Sequence, residues 1–219
     1  MQRSYEVEIM DDFSIRDERI DIALGELKVI NKYLGGISTT KSALKYFIRS
    51  KNQVLKILDI GSGSSDNLIA AKNIFPQLKI ISIDKNLRVL SGSINSLGKI
   101  NSDAFELPFK NNSCDIIHAA LFLHHFTEEQ IQILLKEFLR IGRMGVIIND
   151  LQRSWLALWG IKILTLLFSK SAMVKNDSPL SVKRGFTKSE IINLLSDAGN
   201  KNFVIKWKWA FRWMVVINR

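Results

Sequence analysis

From residue 54 onward, short apolar runs alternate with longer amphipathic stretches. The runs are 54–60 (VLKILDI), 79–83 (KIISI), 115–119 (DIIHA) and 145–149 (GVIIN). Helical spacing fills the intervals at 66–74, 86–96 and 127–141, the last opened by Thr127, with Glu128 and Glu129 suited to the positive end of a helix. Strands that alternate with helices build a parallel sheet covered on both faces. A further strand at Leu97–Ile100 is required by the spacing alone, since its own pattern is poor.

Upstream, Ile20, Ala23, Leu24, Leu27, Ile30 and Leu34 repeat at helical intervals over 16–34 and meet a stop at Gly35-Gly36. A second, shorter helix is expected to begin after Thr39-Thr40 and to run through Ala43, Leu44 and Phe47. Downstream of Asp150 come an apolar helix at 154–169 and an irregular segment around Pro179. A helix opened by the capping box Thr187-Lys188-Ser189-Glu190 then ends near Ala198-Gly199. The stretches 202–208 and 210–217, rich in β-branched and aromatic residues, predict an antiparallel pair at the sheet edge. The expectation is an α/β fold with a doubly wound, seven-stranded, mostly parallel sheet. An N-terminal helical cap spans 1–50, and the main unit spans 51–219 with a helical insertion at about 152–180, in one domain overall.

Composition narrows the setting. The lone cysteine, Cys114, excludes an intramolecular disulfide, and the start MQRSYEVEIMDD is too acidic and polar for a secretory signal; both point to the cytoplasm. The longest apolar run, Trp155–Phe168, covers 14 positions and carries Lys162, short of the roughly 20 residues that span a bilayer, so no transmembrane segment is expected. The net charge of +10 is uneven: zero over 1–50, +2 over 51–149 and +8 over 150–219. The basic last third is either a solvated lysine-rich surface or an attractor for an anionic partner: an acidic carrier protein, a phosphorylated substrate, a membrane surface or RNA.

The strongest local signal is Leu58-Asp59-Ile60-Gly61-Ser62-Gly63-Ser64-Ser65-Asp66, set between a strand pattern and a helical one. A glycine-rich turn there lets the backbone approach a ligand at the carboxyl edge of the sheet, where α/β folds bind nucleotides. Asp84 closes the second strand 25 residues after Asp59, placed to accept from both hydroxyls of a ribose. A nicotinamide fingerprint would need glycine at position 66, which is Asp66. A carboxylate repels a pyrophosphate and is compatible with a cationic sulfonium, so the charge favours S-adenosylmethionine.

These motifs resemble the class I S-adenosylmethionine-dependent methyltransferases over roughly residues 54–150, which implies a Rossmann-like methyltransferase fold. Ser65 stands where that family usually has a third glycine. By this resemblance Asp59, Gly61 and Gly63 surround the methionine part of the cofactor and Asp84 holds the ribose. In Ser102-Asp103-Ala104-Phe105-Glu106-Leu107-Pro108-Phe109, Asp103 would accept from the adenine amine and Ala104 would donate its backbone amide.

Methyl transfer from a sulfonium is an in-line displacement that needs alignment and, for acceptors such as phenols, a general base. His118 lies within the fourth strand and by alternation faces a packed layer. His124 and His125 sit just past that strand, at the expected mouth of the site, where one of the pair is either a base or acceptor contact, or both are structural. No metal ligands are expected. The Asn/Asp-Pro-Pro-aromatic motif of methyltransferases acting on base or glutamine amines is absent, which argues against a nucleic-acid partner. Trp155, Leu158, Trp159 and Phe168 are expected either as an apolar lid or as ordinary core. The stretches from Asp150 to Arg153 and from Ser181 to Phe186 look similar to bacterial methyltransferases of quinone, phenol or polyketide-derived metabolites. That likeness would let Arg153, Lys183 or Arg184 contact an acidic group or an acyl carrier. The reading is O- or C-methylation of a small, largely apolar metabolite in secondary metabolism. RNA methylation, or a non-catalytic S-adenosylmethionine-binding domain, stands as the alternative.

Overall fold

Seven strands form one sheet: β1 (Leu55–Ile60), β2 (Leu78–Asp84), β3 (Gly98–Asn101), β4 (Cys114–Ala120), β5 (Gly142–Leu151), β6 (Phe203–Lys208) and β7 (Arg212–Asn218). In this computed structural model their spatial order is β3-β2-β1-β4-β5-β7-β6. The first five are parallel, and β7 lies antiparallel between β5 and β6. The structure describes every residue except 13, 14, 16, 51, 94 and 95. Position 16 of the predicted 16–34 helix and positions 94 and 95 of the predicted 86–96 helix lie outside the described residues, and the latter helix ends at Ser91.

The helices are α1 (Glu18–Tyr33), α2 (Gly36–Leu44), α3 (Asp66–Ala71), α4 (Leu87–Ser91), α5 (Glu128–Ile141), α6 (Trp155–Phe168), α7 (Ala172–Arg184) and α8 (Lys188–Asp197). Central strands buried on both faces read as continuous apolar runs, and successive side chains part to opposite sides. Leu58, Ile117 and Val215 thus pack with Leu134, Phe138 and Leu195 of α5 and α8. Their neighbours Ile57, Ile116 and Met214 pack on the other face with Leu44 and Leu68 of α2 and α3. Thr127 and Thr187 open α5 and α8 with complete capping boxes, closed by Gln130 and Glu190.

Two expectations are corrected. The second helix begins at Gly36 rather than after Thr39-Thr40, and it ends at Leu44. Gly35, in the left-handed region at φ 81°, turns the chain so tightly that a Cβ there would lie 1.5 Å from the Trp209 carbonyl oxygen. The segment around Pro179 is not irregular, for it lies inside α7. An interior proline costs a helix about 3 kcal/mol, so local propensity argues against helix there. Burial of Met173, Val174, Leu180 and Val182, together with the Ser171 cap on the Val174 amide, outweighs it.

A buried polar chain ties the N-terminal helices to the sheet. His118 Nδ1–H on β4 donates to Asp59 Oδ1 on β1 at 2.7 Å, so its Nε2 accepts the Thr40 hydroxyl proton at 3.0 Å. Asn149 of β5 donates to Thr40 Oγ1 and to the Gly36 carbonyl, and its own oxygen accepts from Arg212 of β7. Arg212 continues to the Leu34 carbonyl and to Asn31 on α1. Thr40→Val leaves two of these partners unsatisfied and is expected to lower unfolding free energy by about 1–3 kcal/mol in urea titration. An unchanged midpoint and slope would show that the chain carries no stability.

Candidate functional site

The carboxyl ends of β1, β2 and β4 open into a cavity of about 890 Å³. Asp59, Gly61, Gly63, Asp84, Asp103, Ala104, His124 and His125 all line it, so these eight come together at one place. One half is the glycine turn. Gly61 and Gly63 hold φ values of 60° and 51°, and Ser65 adopts 55°, an unusual conformation for a residue with a Cβ. Its hydroxyl, 2.6 Å from that of Ser82, anchors the strained position. A Cβ on Gly61 would fall 2.1 Å from the Phe122 ring, so no larger residue fits.

Asp84 bridges this turn, accepting from the Gly63 amide at 2.9 Å and the Asn86 amide at 2.8 Å. A carboxylate has about four acceptor positions, so two remain for a diol. Burial raises the Asp84 pKa against the pull of those two amides. Lys85 Nζ, 2.8 Å from Asp103, holds that carboxyl below its usual range, and Asp103 also accepts from the Phe105 amide. Asp59 is committed to His118, so its role is to brace the turn as well as to line the cavity.

The other half centres on Asp150, at the end of β5. Its Oδ2 accepts the amides of Leu123 and His124, and its Oδ1 takes the Leu151 amide and His124 Nδ1–H, the last at 2.6 Å. Burial works to raise the Asp150 pKa, and the charge and hydrogen bonding of His124 outweigh it, leaving it lowered. These bonds shape the 3-10 turn Leu123–His125 and direct His124 Nε2 to within 3.6 Å of Glu8 Oε1. His125 stacks on His124 at 4.3 Å and donates from Nδ1 to Asp11.

Glu8 and Asp11 come from a strap at the N-terminus. Asp177 of α7 accepts the amides of Ile9 and Met10, and Ser181 donates to Glu8 at 2.9 Å. Arg184 donates to the carbonyls of His124, His125 and Glu6 and to Asp11. Burial pushes the Glu8 carboxyl up; burial opposes, but His125 and Arg184 overcome, in lowering Asp11. Glu8, His124 and His125 bring donor atoms within 4.8 Å of one another, a grouping that could hold a cation and that no sequence spacing announced. Glu8, Asp11 and Asp177 were equally illegible, because no local motif links residue 8 to residue 177. Asp150 had a signal, as a fourth acidic residue at a strand tip.

Three further expectations are corrected. Trp155, Trp159 and Phe168 are neither lid nor core, for they lie 60%, 59% and 77% exposed, and only Leu158 is buried. The wall that α6 gives the cavity consists of Ala157, Gly160, Ile161 and Leu164. Arg153 and Arg184 are also unavailable to an outside acid. Arg153 is buried on Glu190 and the Gly185 carbonyl, and Arg184 is spent on the strap and the 3-10 turn.

Residues 58–148 match the sequence model of a family described as a methyltransferase domain. No curated protein matches the chain. Among solved structures, a SAM-dependent methyltransferase from Aquifex aeolicus is 14% identical, with 92% of this chain and 98% of that one covered at a TM-score of 0.62. A plantazolicin methyltransferase in complex with SAH is 15% identical, with coverage of 95% and 93% and a TM-score of 0.70. Human N-acetylserotonin methyltransferase in complex with SAM is 17% identical, covering 100% of this chain and 63% of that one at 0.64. These likenesses establish the fold. The family match covers residues 58–148, the stretch that holds the glycine turn and runs through the first five strands from Leu58 of β1 to Ile148 of β5.

A carboxyl whose folded pKa is raised binds more protons folded than unfolded, so its contribution to stability falls as pH rises above the unfolded value of about 4.3. Glu8→Gln removes that penalty. Chemical denaturation is expected to give a variant that gains on the wild type between pH 4 and pH 8. A wild type that gains relative to the variant over that interval would mean Glu8 is stabilised as the anion.

Proposed function

We propose that this S-adenosylmethionine-dependent methyltransferase methylates an oxygen or carbon of a small, largely apolar metabolite, phenolic, quinol-like or polyketide-derived. His124 serves as general base. The observation that carries this reading is the locking of His124 Nδ1 by buried Asp150, which fixes the tautomer and leaves Nε2 as the cavity-facing basic nitrogen.

The residues of the glycine half fit the cofactor. The turn is free of side chains where a Cβ would meet Phe122, and Asp84 keeps acceptor capacity beyond its two amides. When bound, S-adenosylmethionine supplies an electrophilic methyl carbon beside a positive sulfur. The protein's share is to align the acceptor, exclude water and take the acceptor's proton. Leu24, Leu27, Ile30, Ile161, Leu164 and Phe211 line the remaining space, which suits a ring or acyl chain. At about 890 Å³ the cavity lies near the top of the 300–1,000 Å³ range of ligand sites, which leaves room for an acceptor beside the cofactor. With the N-terminal strap across the site, Glu8 stands beside the base and can accept a hydrogen bond from it once His124 is protonated.

His124→Gln is expected to lower kcat about 10²- to 10⁴-fold in a labelled-methyl assay over phenols, quinols and carrier-bound acyl chains, with cofactor affinity by calorimetry within about threefold of wild type. Wild-type turnover in this variant would remove His124 as base, and label transferred only to RNA would overturn the acceptor class. Gly61→Ala, forced against Phe122, is expected to weaken S-adenosylmethionine binding at least ~10-fold, a loss of roughly 1.4 kcal/mol. Retained affinity there would place the cofactor away from the turn.

A further inference from the structure

Helix α6 has two apolar sides, and only one is accounted for. Its inner side, Ala157, Leu158, Ile161 and Leu164, packs beneath the chain and lines the cavity. Its outer side presents Trp155, Leu156, Trp159, Ile163, Leu166 and Leu167, each between 56% and 75% exposed. At 100° per residue these six fall within an arc of about 120°, a continuous stripe rather than scattered residues. Patches of this kind mark contact surfaces, not ordinary solvent-facing helix.

Charge identifies the partner. No Asp or Glu occurs between residues 151 and 176, whereas Lys162, Lys170 and Lys175 are all exposed there. Lys162 sits at the margin of the stripe with its ammonium 5.2 Å from the centre of the Trp159 ring, the posture of a lysine that reaches from an apolar layer into water. Of the charged residues in the +8 segment 150–219, Asp150 and Asp177 are buried, and so are Arg153, Arg184 and Arg212, which leaves nine cations against two carboxylates outside the core. The turn between β6 and β7 abuts α6 through Phe211 and adds exposed Trp209, next to the exposed Trp207 of β6. Tryptophan, leucine and isoleucine on one side of a helix with lysine at its margin is the composition of helices that lie in the bilayer interface. Fourteen residues reach only about 21 Å, and no helix among the described residues is long and apolar enough to cross a membrane, so the helix would lie along the surface.

We propose that the outer face of α6 docks the protein on an anionic lipid bilayer, its tryptophans and leucines entering the headgroup boundary while Lys162 and the nearby Lys170 pair with lipid phosphates. The inference goes beyond the methyl-transfer reading and does not depend on the acceptor. Lys162, Lys170 and the six outward side chains of α6 line no part of the cavity, so the two can fail separately.

The test is co-sedimentation of the full chain with vesicles of phosphatidylglycerol and phosphatidylcholine, beside vesicles of phosphatidylcholine alone, with tryptophan emission read in parallel. Wild type is expected to pellet with the anionic vesicles and to shift its emission to the blue. Leu156→Glu/Leu166→Glu should reduce the partition coefficient at least tenfold. Lys162→Gln/Lys170→Gln should reduce it about fivefold per charge removed, with unchanged thermal melts in both. Wild type that stays in the supernatant with every vesicle, or that binds both compositions equally, overturns the proposal. So does a concentration-dependent dimer that Leu156→Glu/Leu166→Glu dissolves, because a second copy would then cover the stripe.

Discussion

A single buried carboxylate, Asp150, sets the form of the cavity wall opposite the glycine turn. An ionised group with no access to water is tolerable only where donors surround it, and here they do. Three backbone amides and one imidazole N–H converge on its two oxygens. Satisfying that charge forces the chain after β4 into the 3-10 turn, and the turn fixes the place and tautomer of His124. The constraint runs from electrostatics to backbone to chemistry, in that order.

Around this centre the N-terminal strap and the insertion behave as one unit. Asp177 caps the Ile9–Asp11 turn, Ser181 meets Glu8, and Arg184 holds the carbonyls of both histidines. Helix α7 persists through Pro179 because it carries these contacts along with its buried apolar residues. The first dozen residues thereby become part of the cavity, although they form no strand or long helix of their own.

The opposite half rests on geometry that side chains would obstruct. Gly61 passes under Phe122, and Ser65 accepts a left-handed backbone held by Ser82. Behind it the line Asp59, His118, Thr40, Asn149 and Arg212 joins four strands to the two N-terminal helices. Deep burial brings the Arg212 pKa down to about 10, still charged at neutral pH, and Asp150 adds a compensating attraction. The cap helices are thus fastened to the strand ends through polar bonds as well as apolar packing.

Periodicity and turn chemistry are local properties, and they were legible in the chain: the alternation that makes β1, β2, β4 and β5, the glycine turn at 61–63, the carboxylates closing strands, and the box at Thr187. The helix through Pro179 was not legible, since burial by distant residues decides it against propensity. Nor was the exposure of Trp155, Trp159 and Phe168, because an apolar helix reads the same whether its outer face is covered or bare. Glu8 reached the site for the same reason: which distant groups meet depends on how elements pack, and sequence spacing carries no record of contacts 110 or more residues apart. Local physics therefore determined the elements and the glycine turn, while packing alone chose which carboxylates meet His124 and which face of α6 is left open.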